Sequence, residues 1–364
     1  MPRTFGIDAR AAAEVPAGRG RVLREVLRAL GQTDGDDRWI LYCREPWTEV
    51  ELDERFTWKQ IGLPDPAWHL AAARAATREC DAFASTNSYL TAWFTGVPTA
   101  VIVYDLVPFI PGAQAQKRAA TIERATIDIG VRRAKALLCI SDATRRDLIA
   151  RVPQAAPRAV VWPLAADARF DAETARPRAR AAAVAHGLGD TPYVLAVGTL
   201  EPRKNLERLL EAWEGLGARG GHELVLVGPK GWEAEQILAS AQNGGVRTLG
   251  FVPDDDLTAL YAGASVFAYP SLYEGFGLPV LEAMQSGVPV LTSNVSSLPE
   301  VAEGAALLVD PHDVAAIRDG LAQLLTDPAK RAELAEAGLR RARDFSWERT
   351  AEALRDALAA IARS

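Results

Sequence analysis

Short apolar runs alternate with longer amphipathic stretches along almost the whole chain. The runs Thr4–Asp8, Trp39–Cys43, Ala82–Ser85, Ala100–Tyr104, Ala136–Ile140 and Val160–Trp162 have strand length. Between them, helical periodicity marks residues near 18–30, 66–79, 113–134 and 142–151. From Tyr193 the alternation begins again, predicting strands at 193–197, 223–227, 246–249, 265–269, 288–292 and 305–309. The segment after the first of these shows why the intervening stretches read as helices. Leu206, Leu209, Leu210, Trp213 and Leu216 recur at helical spacing and make one apolar stripe. From about residue 312 onward the pattern is nearly all helical, ending in the amphipathic segment Phe345–Ile361. Ser346 suits its N-cap, although Arg349 stands where a capping box needs Glu or Gln.

Fully apolar strands alternating with helices predict parallel sheets covered on both faces. Two such runs of similar length predict an α/β fold of two doubly wound, Rossmann-like domains. The join is sought in Ala165–Ala181, which is polar and lacks strand periodicity. The expected first domain is 1–167 and the expected second is 168–345. Ligands of open α/β sheets bind outside the carboxyl ends of the strands. The strand-exit loops, facing across an expected cleft, are therefore where chemistry should lie.

Composition narrows the classes. A chain of 364 residues, 49% hydrophobic and 24% charged, has the apolar content for two cores and is neither disordered nor fibrous. A net charge of −6 argues against nucleic acid as a partner. Cys43, Cys80 and Cys139 form no CxxC pair, which favours a reducing compartment. The opening MPRTFGIDAR lacks the apolar core of a signal peptide, and no apolar run approaches the ~18 residues of a membrane span. The expected location is cytoplasmic, with peripheral membrane contact left open. His69, His186, His222 and His312 are scattered, so no dedicated metal site is expected. His69, on an amphipathic stretch, reads as a surface or packing residue.

Two strand-exit loops carry candidate chemistry. Gly198-Thr199-Leu200-Glu201-Pro202-Arg203-Lys204-Asn205-Leu206 follows the strand 193–197 and opens the striped helix. Cations are disfavoured at a helix N-terminus unless an anion is bound there, so Arg203 and Lys204 point to an anion site. An Arg fork beside a Lys point charge suits a diphosphate. Glu274-Gly275-Phe276-Gly277-Leu278-Pro279-Val280-Leu281-Glu282 follows the strand 265–269. Its glycines let the backbone approach a ligand, and Pro279 suits a first helical turn. Glu274 in the loop and Glu282 in the first turn of the helix would address different parts of an elongated ligand, carboxylates being good acceptors for vicinal hydroxyls.

Together the Glu-x7-Glu pair, Tyr269-Pro270-Ser271, the Glu-Gly-Phe-Gly-Leu-Pro run and the upstream Arg-Lys-Asn resemble the retaining GT-B glycosyltransferases, family 4. The resemblance covers most of 190–347, including Ser286–Val290 and Leu298-Pro299-Glu300. In the first half Gly6–Arg10, the Gly18–Gly20 turn, Tyr104–Pro108 and Ile140–Thr144 are similar to family segments. It implies that the last helix, 346–364, returns to the first domain, and it implies a hexose transfer from a nucleotide diphosphate sugar to a glycan or lipid-linked acceptor, with retained configuration and no cofactor or required metal. The Tyr-Asp-Leu-x-Pro form resembles bacterial mannosyltransferases of polysaccharide assembly, which makes GDP-mannose the first donor to consider.

By that resemblance Arg203 and Lys204 would hold the diphosphate, Glu274 the sugar hydroxyls and Glu282 the ribose. Backbone amides of Phe276, Gly277 and Leu278 would touch sugar and phosphate. The loop at Val252 would meet the base, Gly18 would approach the diphosphate, and Tyr104 would face the sugar. The chain departs from the family at three places. Tyr104-Asp105 replaces the frequent His-Asp, and a phenol carries no proton near neutral pH. Ala17-Gly18-Arg19-Gly20 replaces a Gly-Gly turn, leaving Gly20 as a second candidate. Pro163–Asp167 lacks the frequent Asn-Gly. Asp254-Asp255-Asp256 reads as a helix start rather than a metal site. The basic series Lys117/Arg118, Arg124, Arg132/Arg133/Lys135 reads as a solvated helix face, or a docking face for an anionic acceptor or membrane. The competing readings are a nucleotide-sugar 2-epimerase of the same architecture, a non-catalytic nucleotide-sugar binding protein, and a dehydrogenase. The last fails because Leu23 stands where the dinucleotide fingerprint needs its third glycine.

Overall fold

In the first unit, segments of three to six residues, apolar except at β3, form seven parallel strands: β1 (Thr4–Asp8), β2 (Arg38–Cys43), β3 (Phe56–Gln60), β4 (Ala82–Ser85), β5 (Thr99–Val103), β6 (Ala136–Cys139) and β7 (Ala159–Val161). The computed structural model of the protein describes residues 2–109, 117–217, 219–241 and 245–362. The strand order is β3-β2-β1-β4-β5-β6-β7, so the winding reverses between β1 and β4. β4 and β5 are buried along their whole length, as strands covered on both faces must be. The helix Trp347–Ile361, capped by the Ser346 hydroxyl on the Arg349 amide, packs on the helix Arg19–Gln32 and along β4–β6. Trp162 Nε1 donates to Thr350 O at 2.8 Å, and Thr350 Oγ1 donates to Pro163 O at 2.8 Å, fixing this helix to the first unit.

The second unit holds β8 (Tyr193–Val197), β9 (Glu223–Val227), β10 (Val246–Gly250), β11 (Val266–Tyr269), β12 (Val290–Ser293) and β13 (Leu307–Val309). All pairings are parallel, in the order β10-β9-β8-β11-β12-β13, with the reversal between β8 and β11. Leu206, Leu209, Leu210, Trp213 and Leu216 are all buried in its core, as the striped helix requires.

The chain changes unit between Leu164 and Ala165, three residues before the expected 167/168. The segment after it is no free linker. Ala172–Ala175 and Ala179–Ala185 are helices, and Phe170 is fully buried edge-on against Tyr261, at 5.1 Å. Gln285 Nε2 and Ser286 Oγ donate to the carbonyls of Asp167 and Phe170, tying the segment to the second unit. β3 carries no apolar signal because it is the sheet's edge; only Phe56 of its five residues is buried. The expected helix 113–134 is observed as Lys117–Arg133; residues 113–116 and the side chains of Lys117 and Arg118 lie outside the described residues.

Candidate functional site

The reversal between β8 and β11 leaves a crevice at their carboxyl ends, the usual ligand position in such sheets. The loop after β8 brings Arg203 and Lys204 there, and the loop after β11 brings Glu274. Arg203 Nη1 lies 2.7 Å from Glu274 Oε2, and Lys204 Nζ lies 2.7 Å from Glu274 Oε1. Arg203 also pairs with Glu201 at 2.6 Å and donates to Tyr273 O at 2.9 Å. The two cations therefore have a counter-ion within the chain, which the nearby sequence does not announce. They also precede the helix rather than begin it. Pro202–Lys204 is a 3-10 turn, and Asn205, with φ 59°, separates it from the helix Leu206–Glu214.

Burial and charge compete in this cluster. Burial alone would raise the Glu274 carboxyl, but the charges of Arg203 and Lys204 outweigh it and hold it at about 2. Burial likewise opposes the charge on Arg203, but Glu274 and Glu201 prevail and raise it. For Lys204 burial prevails and lowers its ammonium below the ordinary range. Gly198, Lys204, Tyr269 and Pro270 line a small pocket beside it.

Residues that the sequence reading did not single out hold these loops. Asn205 Nδ2 donates to Pro270 O and Pro311 O at 2.9 and 2.7 Å. Ser297 Oγ donates to Glu274 O and Phe276 O, and Ser296 Oγ accepts from the Glu274 amide. Asn205 stands in the Arg-Lys-Asn motif, whereas the serines leave only a Ser pair at the exit of a strand. The Phe276 side chain is buried edge-on against Phe345, so that residue can offer a ligand only its backbone. Gly277 caps the helix Leu278–Gln285 at φ 107°, where a Cβ would meet Leu298 at 2.7 Å. The amides of Phe276, Gly277 and Leu278 have no protein acceptor among the described residues.

Glu282 requires a correction. It is the fifth residue of its helix, in the second turn, and no acidic residue stands in the first. Its side chain is buried and accepts from Tyr261 OH at 3.3 Å. Val252 is also buried, whereas the neighbouring Phe251 is 77% exposed. A ligand at that loop would meet Phe251 or the backbone, not the Val252 side chain. Asp254–Asp256 form the first turn of the helix Asp254–Gly263; Asp254 pairs with Arg169, and Asp256 meets His186 Nε2 at 3.0 Å. No group of three or more His, Cys, Asp or Glu is placed to hold a metal among the described residues.

Gly18 and Tyr104 belong to the first unit. Gly18 caps the helix Arg19–Gln32 with φ 54° and open space where a Cβ would be. Gly20 has a different reason to be glycine, since its Cβ would lie 1.8 Å from Val15 O. Of the two, Gly18 is the one a ligand can reach. Tyr104 follows β5; its hydroxyl is enclosed without a hydrogen-bond partner among the described residues, and burial raises its phenol. At the β1/β4 reversal lies a buried ionic cluster. Arg10 bonds Asp8 at 2.8 Å and covers the Trp68 ring at 3.7 Å, and His69 Nδ1 meets Thr91 Oγ1 at 2.8 Å. Burial, then Arg10, lowers the His69 imidazole to about 4, so it is a neutral packing residue.

Residues 181–341 match the family model described as glycosyl transferases group 1. They form a glycosyltransferase group 1 domain. The group 1 domain lies wholly within the second unit and contains Arg203, Lys204, Glu274 and Glu282. The chain is 42% identical over 225 residues to O-antigen chain mannosyltransferase B of Escherichia coli, covering 59% of this chain and 58% of that relative. It is 41% identical over 169 residues to the serotype-specific mannosyltransferase WbdA of Escherichia coli, covering 44% of this chain and 20% of that relative. The chain thus spans only part of the length of these curated relatives. Among solved structures it resembles sucrose-phosphate synthase from Thermosynechococcus elongatus, with a TM-score of 0.79 and 21% identity over 98% of this chain and 100% of that one. It also resembles WaaG, a glycosyltransferase involved in lipopolysaccharide biosynthesis, with a TM-score of 0.72 and 18% identity over 98% and 99%. These structural likenesses show the GT-B fold of two Rossmann-like units. No helix of the described residues is long and apolar enough to cross a membrane.

Proposed function

We propose that the protein is a retaining hexosyltransferase that moves a hexose from a nucleotide diphosphate sugar to a glycan or lipid-linked acceptor. The observation that carries this reading is the buried Arg203–Glu274–Lys204 cluster at the sheet's reversal. A diphosphate offers Arg203 a bidentate acceptor and Lys204 a second charge. It also offers acceptors to the loop amides at Phe276–Leu278, at the positive end of the following helix. When the diphosphate takes the cations, Glu274 is released to accept from sugar hydroxyls. The sugar–diphosphate bond breaks as the acceptor oxygen bonds the anomeric carbon, and the acceptor's proton passes to the leaving diphosphate. Arg203 and Lys204 stabilise the charge that builds there in a setting where water is scarce. Glu282, held one turn into the helix, suits the ribose hydroxyls.

The named activities of the relatives support mannose, from GDP-mannose, as the first donor to test. We place no metal in this reaction, because Asp254 and Asp256 are engaged at a helix start. Incubation with labelled GDP-, UDP-, ADP- and dTDP-sugars tests the reading, after a thermal-shift screen in which a ligand at ~100 times Kd adds ~2.7 kcal/mol. Slow release of nucleoside diphosphate and transfer to acceptor, both surviving EDTA, is the expected result. An isomerised nucleotide sugar would make it an epimerase, bare binding a receptor, and rescue of a chelated enzyme by Mn²⁺ would overturn metal independence.

A further inference from the structure

A run of stacked rings joins the two carboxylates of the Glu-x7-Glu pair. Tyr269 and Phe267 stand on one face of β11, two residues apart, with centroids 5.8 Å apart and planes 19° from parallel. Phe267 stacks in turn on Tyr261 of the helix Asp254–Gly263, at 5.1 Å and 30°. All three rings are buried. Packing alone asks for no hydroxyl at either end of this stack; Phe267 fills the middle without one. A buried phenol is costly unless hydrogen-bonded. Tyr269 OH donates to Glu274 Oε1 at 2.9 Å and accepts from Lys204 Nζ. Tyr261 OH donates to Glu282 Oε2 at 3.3 Å.

We infer that Tyr269 and Tyr261 are positioning residues: one rigid aromatic stack holds Glu274 and Glu282 by its two hydroxyl ends and sets the spacing at which they meet a ligand. A carboxylate accepts on several lone pairs, so each glutamate keeps acceptor capacity for a ligand while one oxygen is held. The rings lose little freedom on ordering, because each is clamped between neighbours. This rests on the proposed donor site, with Glu274 at the sugar and Glu282 at the ribose. It adds that the two contacts are set by a common support rather than by separate loops.

The test uses the full chain with Tyr269→Phe and Tyr261→Phe, which keep the rings and remove only the hydroxyls. In protein carrying ¹³C at the glutamate carboxyls, assigned with Glu274→Gln and Glu282→Gln, the Glu274 resonance should move in Y269F and the Glu282 resonance in Y261F. Y261F should weaken binding of whichever of GDP, UDP, ADP or dTDP gives the largest thermal shift, by roughly 3- to 10-fold, the worth of one hydrogen bond. Y269F should lower kcat with the full donor by roughly the same factor and affect nucleoside diphosphate affinity less. Y261F should add nothing to E282Q, nor Y269F to E274Q, because each pair removes one interaction. Unmoved carboxyl resonances, or additive losses within each pair, would overturn the inference. If a Phe variant melts early, 3-fluorotyrosine at that position perturbs the hydroxyl alone and should move the same resonance. If the wild type binds no nucleotide and turns over no sugar, the donor-site reading fails, while the carboxyl spectra still decide the positioning role.

Discussion

Arg203 and Lys204 find their counter-ion about seventy residues further along the chain, and that pairing explains how two adjacent cations are tolerated in a buried site. Removing one cation leaves the other on Glu274, so folding should survive while the diphosphate loses a partner. Arg203→Ala and Lys204→Ala are each expected to lower kcat by ~10²–10³, as for a lost oxyanion donor, with little change in melting temperature. Near-normal turnover in either variant would remove it from the donor site. His69 makes a different prediction. Its folded imidazole is held at about 4, against 6.5 unperturbed, by burial and by Arg10, with Asp8 and Asp65 opposing and Arg44 assisting. Between these values the unfolded chain binds the extra proton, so stability falls as pH drops from 6.5 toward 4. The full shift corresponds to about 3 kcal/mol at most. Urea unfolding at pH 7 and pH 4.5 should show this loss in the wild type and a smaller one in His69→Gln. Equal slopes in the two proteins would exclude His69 as the source.

At the scale of elements, the site is built where loops leave β8, β9 and β11, and close backbone approach sets their geometry. A Cβ on Gly228, at φ 144°, would lie 2.0 Å from the carbonyl of Gly198. Gly198 in turn faces the stem of Lys204, whose Cε would lie 3.3 Å from a Cβ there. Gly228→Ala must therefore push apart the exits of β8 and β9 and strain a left-handed backbone, costing roughly 1–3 kcal/mol. Chemical denaturation should show that loss, and calorimetry should show weaker nucleoside diphosphate binding through the displaced Lys204. Unchanged stability would mean that the two exits separate freely. The elements themselves were largely legible. β1, β4, β8 and β9 coincide with their apolar runs, because central strands are buried on both faces. β3 escaped because an edge strand buries one face and needs few apolar residues. The short helix Tyr89–Phe94 escaped because six residues hold too few turns to display a period.

Over the whole molecule, the chain builds two sheets and then returns its last helix to the first. Leu354 and Leu358 of that helix are fully buried in the first unit. Leu354→Ala and Leu358→Ala should each cost about 2–5 kcal/mol, the range for a leucine cavity. The loss should appear as faster amide exchange in β4–β6, with β8–β13 still protected. Equal loss of protection in both sheets would show that the units unfold together.

Periodicity, turn chemistry and charge sign are local properties, and the chain displays them directly. They sufficed for two parallel α/β units, for the last amphipathic helix, and for the loops that hold Arg203, Lys204, Glu274 and the Phe276–Leu278 amides. What they could not reach depends on residues far apart in sequence. The counter-ion of the two cations, the Asn205 bridge to Pro270 and Pro311, and the Ser296–Ser297 clamp all form only once β8, β11 and β12 lie side by side. Within the join, Phe170 is one apolar residue in a polar stretch, and its burial depends on Tyr261 from another helix. The same holds for Tyr261 and Tyr269. In the sequence each is an aromatic on an apolar face, and only packing shows that their hydroxyls end on Glu282 and Glu274. Apolar burial is non-directional and can be read from pattern, whereas a hydrogen bond between distant side chains depends on distance and angle, which the assembled fold alone defines.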